Sequence, residues 1–331
     1  MLHLPSYLTS IREHLAREAW ILPAFALTTF NYLVTEALRP FTGLKGHLDF
    51  TNDLTTIGVF VEIALSCLFL QVAWLWWQNR PLAEVRNYFS RERLIGLSAL
   101  AILVNVNLTV LGQVKAQLDL AVPFSADGNL ADLDRILFGG RDAWRVLQWA
   151  AHPYIAEAYH FLWLFWMVGV LCLVGMQLPS GRKSALLISY FALWTVGPII
   201  HCFLPAAGPL FYDNLGLGPR FSELPVTQHT KLIENFLWEG YRQRTINFAG
   251  GISAMPSLHI ATMAWAAIAL FRTRFFPAAI IIAIYIFVGS IVTGWHYAID
   301  GIAGALTAFG CYDGCRAGIK NLQRRGLSFQ T

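Results

Sequence analysis

Eight stretches of this chain are apolar enough to be read as membrane-spanning helices, at roughly residues 19–38, 55–78, 94–113, 155–178, 184–204, 256–271, 276–293 and 296–313. Crossing the hydrocarbon core takes about 20 predominantly apolar residues in a helix. Inside lipid every backbone polar group must be satisfied within the spanning structure, which leaves helices or closed barrels as solutions. The last three stretches are short and tightly linked, so their company identifies them. The predicted fold is therefore all-α, a polytopic membrane protein of about eight transmembrane helices. Charged residues make up 13% of the chain, about half the share of a soluble domain. The net charge of +4 has no clustered basic arm, so no nucleic acid is expected as a partner.

Residues 1–115 read as an amphipathic N-terminal segment followed by three spans. Residues 116–331 read as the membrane domain that carries His259 and His296, packed with the first part as one unit. The N-terminus, "MLHLPSYLTSIREHLAREAW", has apolar residues at helical spacing and no small-residue cleavage site. It is expected to lie on the membrane surface rather than to be a cleaved signal. The five cysteines are scattered, mostly within apolar runs, and suggest neither a disulfide framework nor a metal site.

Eight spans put both termini on one side. That side carries fourteen of the 24 Lys and Arg residues in short loops and tails. The positive-inside rule makes it cytoplasmic, in a bacterial inner membrane or its equivalent. The long outward loops, about 114–154 and 205–255, contain "ADLDRILFGGRDAWRVLQWAAH" and "TKLIENFLWEGYRQR", whose apolar spacing predicts short helices at the membrane surface.

Two outward helix entrances carry chemistry-bearing residues. In "SAMPSLH" the proline suits the first position of a helix. Ser257 and His259 follow in the first turn, where free backbone N–H groups favour a bound phosphate, and His259 is suited to donate a proton to a leaving oxygen. In "GWHYAIDGIAG" His296 and Asp300 are four apart and share one helix face. A carboxylate that accepts one ring N–H of a histidine fixes its tautomer and leaves the other nitrogen as a nucleophile. Gly294, Gly301 and Gly304 permit close helix packing. A packing histidine or a metal ligand is the competing reading of each motif alone. Their joint occurrence on one side of the membrane favours phosphoryl transfer, with no metal.

These residues resemble the type 2 phosphatidic acid phosphatase superfamily. Its P-S-G-H motif corresponds to "PSLH" at 256–259, with Leu258 for glycine. Its S-R-x5-H-x3-D motif corresponds to "GSIVTGWHYAID" at 289–300, with Ser290 for arginine. Its K-x6-R-P motif has no counterpart, since Arg39-Pro40 is preceded by Tyr32 at the lysine position and falls early in the chain. With "LDRILFGG" (133–140) and "LPAAGP" (204–209), the pattern over about residues 130–312 resembles the inositol phosphorylceramide synthase-like branch. The resemblance implies a six-helix catalytic bundle preceded by two further spans, with His296 as nucleophile, Asp300 as its partner and His259 as the acid.

The missing basic residues favour a singly charged phosphodiester donor over a monoester. Arg242 and Arg244, 15 to 17 residues before His259, are the first candidates to replace them at the phosphate, or else sit among lipid headgroups. Lys231 and Arg220 rank below. Glu157 and His160 are possible accessory groups to an acceptor hydroxyl, with packing as the alternative. Glu62, Asn105 and Asn107 line a headgroup pocket or bond between helices, and His201 fits either class. The expected activity is a membrane phosphotransferase moving a phosphoryl or phospho-headgroup between a lipid donor and acceptor through a phosphohistidine, without an organic cofactor. A lipid phosphate phosphatase is the alternative, and a lipid-binding protein or transporter the alternative of another class.

Overall fold

The computed structural model describes residues 18–45, scattered positions within 58–78, and residues 89–245 and 250–325. Most of the amphipathic N-terminus lies outside the described residues, and the expected second span is described only at scattered positions, which are helical up to 77. Those described are helical, with no strand among them: α1 (Ile21–Thr42), α2 (Arg91–Ala121), α3 (Asp127–Leu137), the single turn α4 (Ala143–Val146), α5 (Pro153–Gly175), α6 (Gly181–Phe203), α7 (Gln228–Gln243), α8 (Leu258–Leu270), α9 (Phe276–Val292) and α10 (Ala298–Arg324). Four of them, α1, α2, α5 and α6, are long and apolar enough to cross a membrane. Helices α8 and α9 are apolar but shorter.

Local sequence explains the helix starts. Ser180 accepts the N–H of Lys183 ahead of α6, and Thr227 that of Thr230 ahead of α7, each satisfying a donor that the first turn leaves free. Pro153 opens α5, where its missing N–H is no loss. The short helices expected in the two long loops are present as α3 and α7.

Helix α8 is the centre of the bundle. It packs on α5, α6, α9 and α10, and its Ile260, Ala261, Met263, Trp265 and Ala266 are buried. The Trp265 indole donates to the Leu186 carbonyl of α6 at 2.8 Å. Helices α1 and α2 pack on each other and on α6, with Thr28 donating to Asn107 between them at 3.3 Å. A buried Lys183–Glu18 pair at 2.6 Å, with the Trp20 indole also on Glu18, ties the start of α1 to the start of α6. Outward-facing Phe25, Phe161, Ile281, Ile284 and Leu306 are exposed, an apolar surface suited to acyl chains rather than water.

Two helices outrun their sequence-based limits. Helix α2 ends at Ala121 rather than 113, and α10 at Arg324 rather than 313. Interspersed polar residues ended the apolar runs without ending the helices. The division drawn between residues 115 and 116 consequently falls within α2, whose last turns carry Lys115 and Asp119 to the end of the bundle where the histidines lie.

Candidate active site

The "PSLH" entrance differs in register from the sequence expectation. Helix α8 begins at Leu258, with Ser257 as its cap and Pro256, after a cis peptide bond, one residue outside the helix. Serine takes the cap because its oxygen reaches the N–H of Ile260, at 3.3 Å. The N–H groups of Leu258 and His259 make no hydrogen bond among the described residues, so the helix start keeps two donors.

At the second entrance α10 begins at Ala298. His296 thus precedes the helix and does not share a helical face with Asp300. Asp300 stands in the first turn and accepts the Tyr297 N–H at 2.8 Å, an arrangement that favours starting the helix there. The same carboxylate oxygen is 3.7 Å from His296 Nδ1, and the other oxygen of Asp300 has no hydrogen-bond partner among the described residues. The closer acceptor for Nδ1 is the backbone carbonyl of Ala254, at 2.9 Å. A carbonyl only accepts, so Nδ1 carries a proton, and in the neutral ring Nε2 is the nitrogen with the free lone pair. His296 Nε2 lies 3.4 Å from His259 Nδ1. His296 is 4% exposed and Asp300 fully buried.

The two entrances are joined directly. The Ser257 N–H donates to the Asp300 carbonyl at 2.9 Å. Helix α10 crosses so close to this point that a Cβ on Gly304 would collide with the Ser257 carbonyl. Aromatic rings wall in His259: Trp163 at 4.5 Å and Tyr159 at 5.3 Å between centroids.

Helix α3 supplies two carboxylates that sequence reasoning missed. Asp134 accepts the N–H groups of Ala298 and Ile299, at 2.7 and 2.9 Å. It thereby fills the first free donors of α10 and leaves that helix start unavailable to a substrate phosphate. Asp127, two turns earlier, accepts the N–H groups of Ala207 and Gly208 and the Tyr297 hydroxyl, at 2.9, 2.8 and 3.0 Å. Burial raises both carboxyls above their usual range, Asp134 to about 6. Their seven-residue spacing was the available signal, but acids on an amphipathic surface helix read first as solvated. A small cavity of about 10 Å³, bordered by Asp134, Trp144, His296 and Tyr297, lies beside this cap.

The remaining sequence candidates divide. His160 joins the site, its ring centroid 5.7 Å from that of His259 and 5.4 Å from that of Trp295. Arg244 instead reaches the end of α1, donating to the Thr42 carbonyl at 3.4 Å, and Arg242 is exposed on the last turn of α7. Lys231 pairs with Glu234 of its own helix at 2.9 Å. Arg220 is held by Asp142 and Asp132. Glu157 is exposed on α5. Asn107 bonds to Thr28 between helices, and Asn105 donates to the Ala101 carbonyl of its own helix at 2.9 Å.

Among the described residues, Lys115 lies within electrostatic reach of His259. A Cβ on Gly251 would collide with Lys115, so the loop that leads into α8 rests directly on this turn of α2; Gly251 also adopts a positive φ of 86°. A lysine at the end of an apolar helix was a legible signal, masked because the helix was read as ending before it. Among the described residues no group of three or more His, Cys, Asp or Glu side chains is arranged to hold a metal ion.

A family model described as the PAP2 superfamily matches residues 128–312, more than half of the chain and the region that holds both histidines. The chain belongs to that superfamily. No curated protein and no solved structure matches the chain.

Proposed function

We propose that this PAP2 superfamily member is a lipid phosphotransferase that works through a phosphohistidine on His296, in the manner of the inositol phosphorylceramide synthase-like branch. The observation that carries the reading is the polarity of the histidine pair: Nδ1 of His296 is committed to the Ala254 carbonyl, and Nε2 is presented to His259 Nδ1 at 3.4 Å. In the first half-reaction Nε2 attacks phosphorus while the bond to the leaving lipid alcohol breaks, and His259 gives its proton to the departing oxygen. Asp300 offsets the positive charge that develops on the ring. In the second half-reaction His259 takes the proton of the acceptor hydroxyl, whose oxygen attacks phosphorus and releases His296. The donors of Leu258 and His259 and the charge of Lys115 receive the phosphate oxygens. A phosphoryl group has to open the 3.4 Å contact to enter.

Transfer rather than hydrolysis is supported by the scarcity of positive charge near the histidines among the described residues. Lys115 lies within reach of His259, whereas Arg244, Arg220 and Lys231 are engaged elsewhere. One cation suits a singly charged phosphodiester better than a monoester dianion. The second reading, a lipid phosphate phosphatase, draws support from the cavity beside His296, which is about the size of one water molecule. The distribution of Lys and Arg between loops supports a site facing the periplasm or lumen with cytoplasmic termini.

The test offers purified protein and its His296→Ala variant phosphatidic acid, polyprenyl diphosphate and phosphatidylinositol in mixed micelles, with and without ceramide or diacylglycerol. Products are identified by mass spectrometry. A new phosphodiester lipid, absent with the variant, establishes transfer and names both substrates. Free phosphate, lost in the variant, establishes the phosphatase and overturns the transferase. Equal turnover by both proteins removes His296 from the mechanism.

A further inference from the structure

Three consecutive residues ahead of α8 are gripped from three directions. The Ile252 N–H donates to Asp119 Oδ2 of α2 at 2.5 Å. The Ser253 hydroxyl lies 3.2 Å from His201 Nδ1 of α6. The Ala254 N–H donates to the Ala206 carbonyl at 2.8 Å, and the Ala254 carbonyl in turn receives His296 Nδ1. Behind them His201 Nε2 stands 3.6 Å from Asp119 Oδ1. His201 and Asp119 are 1% and 2% exposed.

Burying an acid and a histidine together is expensive unless each is fixed by a partner, and nothing in the phosphoryl-transfer steps uses either side chain. Their shared contact is the 252–254 segment. That segment ends in the carbonyl that selects which nitrogen of His296 is protonated. Free rotation of the Ala254 peptide would leave Nδ1 with Asp300 alone, at 3.7 Å, and let the ring tip or take the other tautomer.

We infer that Asp119, His201 and Ser253 form a buried clamp that holds the Ala254 carbonyl and thereby keeps His296 in its nucleophilic tautomer. They are positioning residues: none touches the reacting atoms, and they act through the backbone of one loop. His201 bridges the clamp, with one ring nitrogen toward the serine and the other toward the acid. The inference rests on His296 being the nucleophile where it concerns rate, and on geometry alone where it concerns the tautomer.

The test therefore reads both quantities. Ser253→Ala removes one hydroxyl from a half-buried loop position and leaves the fold least disturbed; His201→Gln keeps donor and acceptor capacity, and His201→Leu removes both. The expected result is a kcat lowered about 100-fold in Ser253→Ala and His201→Leu, the scale on which small misplacements of a reacting group act. KM stays within twofold, and His201→Gln recovers much of the loss. Inhibition by vanadate weakens in parallel with kcat. Histidine-selective ¹⁵N spectra of the full-length protein in micelles, with His296 assigned by its loss in His296→Gln, are expected to show the Nδ1–H tautomer in the wild type and a mixture in Ser253→Ala. An unchanged tautomer in both Ser253→Ala and His201→Leu overturns the clamp whatever the rates do. A wild-type kcat in Ser253→Ala overturns it as well. A tautomer that shifts in a protein with no turnover on any phosphate donor upholds the clamp and overturns the phosphotransfer reading instead.

Discussion

The carboxylate of Asp134 accepts the backbone N–H of Ala298 at 2.7 Å, from a position 164 residues earlier in the chain. With Ile299 as its second donor, it caps the helix that carries Asp300 and fixes the peptide chain two residues after His296. Helix α3 thereby helps set the position of the buried His296, the proposed nucleophile.

Asp134→Ala is expected to cost about 1–2 kcal/mol, the range for a lost helix cap, and to lower kcat more than it changes KM. Asp134→Asn keeps one acceptor and is expected to fall between the two proteins. Thermal unfolding in detergent, read beside steady-state rates, measures both effects; an alanine variant with wild-type melting and kcat removes the cap from the account.

Titration of the same carboxyl gives a second expectation. Burial raises Asp134 to about 6, above its ordinary value of 3.8, so the folded state holds this proton more tightly than the unfolded one. Its contribution to stability is fully present below about pH 3.8 and is lost as the pH rises through about 6. The melting temperature of the wild type relative to Asp134→Asn is expected to fall across that window. A difference that stays flat from pH 4 to 7 contradicts a raised value.

Lys115 separates from the arginines in a direct comparison. Lys115→Met is expected to lower kcat/KM about 10- to 100-fold, as for loss of one charge-assisted contact, and to weaken vanadate inhibition. Arg244→Gln, whose side chain reaches Thr42, is expected to remain within about twofold of the wild type. The reverse ranking would move the phosphate site toward the end of α7.

The two histidines are distinguished by the leaving group. His259→Ala is expected to lose about 10²–10⁴-fold on an alkyl phosphate ester and far less on an aryl ester, whose phenolate departs without a proton. His296→Ala is expected to lose activity on both. Equal losses on both esters in His259→Ala would remove it as the acid.

Gly304→Ala tests the crossing of the two helix entrances. The added Cβ meets the Ser257 carbonyl, which is backbone and cannot swing aside. The expected cost is about 1–3 kcal/mol, with a fall in kcat as Ser257 and the start of α8 shift. Gly310→Ala, where a Cβ meets nothing within 4 Å, serves as the control and is expected to melt as the wild type does.

Much of this was legible in the residues. Histidine and aspartate at the mouths of apolar helices are rare enough to announce themselves, and the apolar runs located the bundle around α8. Less legible were the groups that hold the histidines. Asp127 and Asp134 sit in an amphipathic surface segment, where an acid is usually solvated, and only the fold turns them toward Ala207 and Ala298. Lys115 and Asp119 lay past the apparent end of a span because an apolar count stops before the helix does. Arg242 and Arg244 drew attention by proximity in sequence to His259, yet the chain turns at Arg244, which takes a left-handed φ of 54°, before it enters the loop that leads to α8. The helix starts shifted by one or two residues for a local reason: Ser257 and Asp300 each make a bond that fixes where the helix begins.

The bond from the Ser257 N–H to the Asp300 carbonyl has a consequence for engineering. It makes the two histidine segments a single structural unit, though 37 residues separate His259 from His296. A chimera that imports one segment from a distant relative and keeps the other would mismatch them at their shared peptide contact. Under the proposed reaction, donor specificity is best exchanged through the connecting helices and loops, with both segments retained together.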